Sequence, residues 1–133
     1  MKVVIAYFHP HLCEALANSV RKYGHAVETA TTVSEGVSLL RSTKPSVLVI
    51  SPTFADGSVD TLLDYARGQR PAPAVFAVSG IDNPALHAEL AAKGAKRHFL
   101  LPLKTDELAD AVREVEKERF PFREPRGAWG GEG

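Results

Sequence analysis

A chain of 133 residues, 44% hydrophobic and 24% charged, is long enough to bury one core and too apolar to remain disordered. Sixteen Lys and Arg balance sixteen Asp and Glu, so no overall field draws the chain to nucleic acid or to an anionic membrane. The single cysteine excludes an internal disulfide and a cysteine-based metal site, and the apolar stretch in "MKVVIAYFHP" is too short for a membrane span or a secretion signal. Together these imply a cytoplasmic protein of one domain.

Strand-like apolar runs alternate with helix-period segments. "KVVIAY" (2–7) reads as a buried strand. "HPHLCEALANSVRKYG" (9–24) follows as a helix, with Leu12, Ala15, Leu16, Val20 and Tyr23 at helical spacing and Gly24 as its stop. "HAVETA" (25–30) alternates like a partly exposed strand. Thr32 and Glu35 form a capping-box pattern ahead of the second helix. "SVLVIS" (46–51) is the central buried strand, and 58–69 form a helix with Val59, Leu62, Leu63 and Ala66 on one face. "PAVFAVSG" (73–80) is the fourth strand. Asn83 before Pro84 marks the start of a helix that runs to Gly94. "KRHFLL" (96–101) is the fifth strand, and 105–120 form a long amphipathic helix. Five such units with short connections predict a parallel sheet covered by helices on both faces. The domain is expected to span 1–119. The segment 120–133, rich in Gly and Pro and containing Trp129, reads as a tail or linker.

Over residues 2 to about 118 the sequence resembles the receiver domain of two-component response regulators. "KVVIAYFHPHLCEAL" is similar to the family's first strand and helix, "KPSVLVIS" to the strand ending in the phosphoacceptor aspartate, and "PAVFAVSG" to the fourth strand, with Ser79 at the family's Thr or Ser. "GAKRHFLLPLKTDEL" is similar to the fifth strand and its loop, with Pro102 at the usually cis proline. The resemblance implies a flavodoxin-like (βα)5 fold, a five-stranded parallel sheet of order 2-1-3-4-5 with its site beyond the strand C-termini.

By the same resemblance, Tyr7 and Phe8 stand where the family has its two metal-binding acids, Ser51 replaces the phosphoacceptor aspartate and Leu101 the lysine; Ser79 alone keeps the family's residue type. Mg²⁺ needs hard oxygen ligands, and phosphoryl transfer needs charge stabilisation that these side chains do not supply. Acids and lysine are absent together, and three replacements are large and apolar, so the expected site is a pocket filled with side chains. No cofactor or metal is implied.

Other residues carry weaker signals. Ser51 is read as a strand-end hydroxyl bonded to nearby backbone rather than as a serine-kinase target. Ser79 is read as structural. His98 stands at the family's switch aromatic, where it could rotate, couple to Ser79 and titrate near neutral pH, but it is read first as a partly exposed strand histidine at the sheet edge. His9, His11 and Cys13 are close in sequence, but Pro10 starts the helix between them; Cys13 is expected to face solvent. Asp56 and Asp60 are read as turn and cap groups. Lys93, Arg97, Lys104 and Arg113, interspersed with acids, lie on the fourth helix, fifth strand and fifth helix, which the resemblance implies as an interface; a solvated charged face is the equal alternative.

The function implied is a degenerate, phosphorylation-independent receiver domain that binds a signalling protein or a second copy of itself through that face. The alternative is a flavodoxin-like domain holding a small molecule above Ser51 and Ser79, although no glycine-rich phosphate loop follows the first strand. An enzyme using Ser51 and a histidine lacks a nucleophile-elbow pattern, and DNA binding lacks a basic run or helix-turn-helix, so neither is expected.

Overall fold

The apolar run that begins at Val47 is a strand with no solvent-exposed residue, and the fold is built outward from it. In the structure, a computed structural model describing residues 1–103 and 106–119, β3 (Val47–Ile50) lies between β1 (Lys2–Ala6) and β4 (Ala74–Ser79). The outer strands are β2 (Ala26–Ala30) and β5 (Ala95–Leu100), giving the order β2-β1-β3-β4-β5 with every pairing parallel. Five helices alternate with the strands: α1 (Pro10–Arg21), α2 (Val33–Thr43), α3 (Val59–Arg67), α4 (Pro84–Ala92) and α5 (Glu107–Arg119). This is the flavodoxin-like α/β fold expected from the sequence. The expected tail, Trp129 and Lys104 lie outside the described residues.

Two cores form because successive strand residues face opposite sides of the sheet. Val3, Ile5, Val49, Phe76, Val78 and Phe99 meet α1 and α5 on one side. Val4, Leu48, Ile50, Val75 and Ala77 meet α2, α3 and α4 on the other. Among the described residues no helix is long and apolar enough to cross a membrane.

On α1 the buried stripe differs from the expected one. Cys13, Leu16, Ala17 and Val20, spaced i, i+3, i+4, i+7, face the core, whereas Leu12, Ala15 and Tyr23 are exposed. Cys13 therefore does not face solvent; it sits at the stripe as a small hydrophobe, its thiol near the carbonyls of Ile5 and Ala30 at 3.6 Å each. Burial pushes the Cys13 thiol pKa up, which favours the neutral thiol.

Helix starts follow the sequence closely. His9 caps α1 through Nδ1, 3.3 Å from the Leu12 amide, and Asn83 caps α4 by accepting from Ala85 and Leu86. On α2 the Thr32 hydroxyl accepts from Glu35 N–H, while the Glu35 carboxylate reaches back to the Thr31 amide, one residue beyond the usual capping box. The remaining first-turn amides, Val33 and Ser34, donate to the two oxygens of Asp56 at 2.8 and 3.2 Å. Asp56 thus caps a helix 22 residues before it, and ties the loop after β3 to α2.

These bonds from Val33 and Ser34 hold the Asp56 carboxyl below the usual carboxylate range, the Val33 bond most. Its contribution to stability is present above the unfolded-state value near 4 and is lost as pH falls through the depressed folded value. Asp56→Ala should lower the unfolding midpoint at neutral pH, with the difference from wild type shrinking toward strongly acid pH in urea titrations. Leu62→Ala, at a position with no exposed surface on α3, should cost about 2–5 kcal/mol in the same assay.

Candidate functional site

In a parallel sheet all strand C-termini lie at one edge, so the loops after β1, β3, β4 and β5 converge there. Each ladder runs one residue past its strand: the Tyr7 amide donates to Ala30 O at 2.9 Å, Ser51 to Ala6 O at 3.0 Å and Leu101 to Ser79 O at 2.9 Å. Tyr7, Ser51, Ser79 and Leu101 are therefore brought to the same edge, and the Leu101–Pro102 peptide is cis, as the resemblance implied.

Ser51 is fully buried and its hydroxyl is spoken for. It accepts from the Phe8 amide at 3.2 Å and donates to Thr53 O at 3.0 Å. The reading of Ser51 as a strand-end hydroxyl bonded to backbone matches this geometry. Tyr7 is buried in the α1 side core, where burial pushes its phenol pKa up. Leu101 is half-buried against the same core.

Phe8 departs from the expected filled pocket. It is 47% exposed, its ring stacked on Tyr7 at 5.4 Å between centroids. The alternation that buries Tyr7 turns the next side chain outward, so two adjacent aromatics cannot both fill one cavity. The site is closed by Tyr7, Leu101 and the Ser51 hydrogen bonds rather than by three packed apolar groups.

This donor set does not fit a divalent cation. Phe8 offers no ligand atom, the Ser51 hydroxyl has both a donor and an acceptor partner, and Asp56, the carboxylate of the same loop, is bound to the α2 amides. Among the described residues no group of three or more His, Cys, Asp or Glu could hold a metal ion.

Ser79 and His98 meet, although the sequence favoured a plain edge histidine. A register shift between Val75 and Phe76 sets β5 one residue out, so that Ala77 pairs with His98 rather than with Arg97. One residue of slip exchanges the faces of a strand. It turns His98 to the Ser79 side of the sheet, and Arg97 to the other, where it lies over the Phe99 ring at 4.8 Å. His98 Nε2 is 2.9 Å from Ser79 Oγ, and Ser79 Oγ donates to Ile81 O at 3.1 Å. His87 of α4 stacks on the His98 ring with centroids 3.6 Å apart; sequence reasoning missed it, since nothing in the spacing of 87 and 98 announces contact.

The expected interface residues are mostly tied within the domain. Lys93 bridges Asp60 of α3 at 2.8 Å and Glu89 at 3.0 Å, which raises its pKa. Arg97 pairs with Glu114 across β5 and α5, and Arg113 pairs with Asp110 and lies over the Tyr23 ring. Separately, a groove of about 670 Å³ runs between α1 and the start of α5, lined by Leu12, Ala15, Leu16, Leu101, Leu103 and Leu108 among others. Neither Ser51 nor Ser79 lines it, so the place proposed for a small molecule is not where this cavity lies.

No family model matches the chain. It is 27% identical over 119 residues to the acid tolerance regulatory protein ActR of Rhizobium meliloti, covering 86% of this chain and 61% of ActR, so it spans less than two thirds of that relative. Among solved structures, the receiver domain of the Francisella response regulator 1452 superposes with a TM-score of 0.79 at 21% identity, over 89% of this chain and 98% of that one. A two-component response regulator from Clostridium difficile superposes with a TM-score of 0.82 at 16% identity, over 90% and 98%. The fold is therefore that of response regulator receiver domains.

Ser51→Ala would leave the Phe8 amide without its partner and should cost about 1–3 kcal/mol. Phe8→Ala, at a half-exposed ring, should cost less than about 1 kcal/mol. Urea denaturation of both variants checks the order; a larger loss for Phe8 would restore the filled-pocket arrangement.

Proposed function

We propose that this chain is a receiver-type signalling domain of the two-component class that works without aspartyl phosphorylation. The observation that carries this reading is the state of residue 51. A phosphoacceptor must present a free carboxylate beside a metal, whereas Ser51 presents a buried hydroxyl held by Phe8 N and Thr53 O. Tyr7, Phe8 and Leu101 supply neither the acids nor the cation that would stabilise a transferring phosphoryl group. The domain is then a protein-recognition module rather than an enzyme.

The face read by a protein partner is α4, β5 and α5. α4 is apolar around nearly its whole circumference (Pro84, Ala85, Leu86, Ala88, Leu90, Ala91, Ala92), yet Leu90 is its one buried residue. A helix of that composition ordinarily packs on more than one side. Ile81 before it is 65% exposed, and Leu100 of β5 is exposed as well. The rim is polar and of mixed charge, with Lys93, Arg97 and Arg113 each beside an acid, which suits orientation of a partner more than raw affinity. Lys104 falls within the same proposed face by sequence. A second copy of the chain is the other occupant this face would suit.

Acetyl phosphate or beryllofluoride with Mg²⁺ should leave the amide spectrum and the sedimentation behaviour of the full chain unchanged. A magnesium-dependent response to either would refute phosphorylation independence. Reversing Arg97 and Arg113 to Glu should weaken a specific partner's binding at least tenfold with the fold retained; unaltered binding would remove this face.

A further inference from the structure

The contact between α4 and β5 contains two histidines whose arrangement is chemically specific. Ser79 has one hydroxyl proton and gives it to Ile81 O, so towards His98 it accepts, and His98 Nε2 must carry the proton in that bond. The neutral His98 ring is then protonated at Nε2 and bare at Nδ1. His98 Nδ1 is buried and has no hydrogen-bond partner among the described residues. His87 Nε2, in the ring stacked on it at 3.6 Å and 29°, is likewise buried without a partner. Rings so nearly parallel hold their in-plane lone pairs in separate planes, so the two nitrogens do not converge on one metal ion.

We propose that His87 and His98 form a proton-operated latch between α4 and β5, closed while both rings are neutral and opened when His98 takes up a proton. A proton on His98 Nδ1 would create a second N–H with no acceptor, inside a partly buried contact and against the face of another imidazole. A charge on both rings would add direct repulsion at that spacing. The relief is for a ring to swing into solvent. If His98 leaves, Ser79 Oγ loses its donor and keeps only its bond to Ile81 O, so the loop carrying Ile81 and Asp82 is no longer linked to β5 through that hydroxyl. If His87 leaves, α4 loses its stacked contact with β5. Either way the change falls on the α4–β5 face, and its signalling meaning rests on the reading of that face as the one a partner recognises.

The charged surroundings support this direction. Asp82 on the loop before α4 is the acid that acts on His98 and favours its cation, but burial and then His87 outweigh it and lower the His98 pKa. Glu89 of α4 and Lys93 at its C-terminal cap are paired with each other, and Lys93 also with Asp60 of α3. Lys96 and Arg97 of β5 are paired with Glu118 and Glu114 of α5. With its folded value depressed, the closed His98 contributes stability that is complete above the ordinary histidine value near 6.5 and is lost as pH falls through the lower folded value.

The test is an NMR titration of the full chain from about pH 7.5 to about pH 4.5, spanning the histidine range, following the imidazole resonances and the backbone amides. His98 should titrate below the ordinary histidine value, and the amides of residues 79–83 and 86–100 should shift with that same midpoint. His87→Phe keeps a stacked ring that takes no proton, and should raise the His98 midpoint. His98→Gln should abolish the acid-dependent shifts in 79–83. His25, buried on the far side of the sheet and also lowered by burial, is followed by its own resonance. A His98 midpoint at or above the ordinary value, or acid shifts in 79–83 that persist in His98→Gln, overturns the latch. If His98→Gln does not fold, the His87→Phe midpoint decides alone. The titration needs no partner: a missing partner at every pH sinks the interface reading, whereas a flat amide response sinks the latch and leaves a neutral-pH complex untouched.

Discussion

The parallel hydrogen-bonded ladder through β1, β3 and β4 is the constraint on which the other features depend. Val3, Val4, Ile5, Ala6 and all of β3 are without exposed surface, so these strands need helices on both faces and leave polar chemistry nowhere to go but the strand ends. Parallel strands place those ends at one edge. Tyr7, Ser51, Ser79 and Leu101 are neighbours for that reason, although 94 positions separate the first from the last.

In open α/β sheets that edge is where ligands bind, and here Ser51 and Asp56 both meet structural needs. A buried polar group must find partners, and Ser51 finds two in backbone: the Phe8 amide and Thr53 O. The same hydrogen bonds join the loop after β1 to the loop after β3. Asp56, the nearby carboxylate by sequence, is committed to the first turn of α2, so a group that could have served a cation serves a helix. The loops after β1 and β3 are thereby fastened through neutral or locally compensated contacts, and among the described residues no group of three or more His, Cys, Asp or Glu could hold a metal ion.

The α4–β5 side is built differently. On α4 only Leu90 is buried, Ile81 and Leu100 are exposed, and Ser79 and His98 meet through their side chains. Few buried contacts mean a low local cost of rearrangement. The half-buried His87–His98 stack lies there, and burial, with His87 beside it, lowers the His98 pKa. A rigid edge and a more yielding lateral face in one domain are consistent with recognition taking place at the face.

Periodicity alone was enough for the element order, the parallel sheet and two of the helix caps, because these depend on local rules: alternation in strands, the 3.6-residue repeat, and Thr32, Asn83 and Pro84 at helix starts. The composition of the site was equally plain, since absent carboxylates are absent however the chain folds. Tertiary structure decided the rest. On α1, Leu12 and Cys13 compete for one stripe, and only packing against Ile5 and Val20 settles that the cysteine is inside. Phe8 turns outward because its neighbour Tyr7 is taken by the core. Asp56 caps a helix that precedes it, a partnership no local pattern encodes. The one-residue bulge in β5, invisible in composition, chooses which of Arg97 and His98 faces Ser79, because a strand's two faces exchange with every single-residue slip.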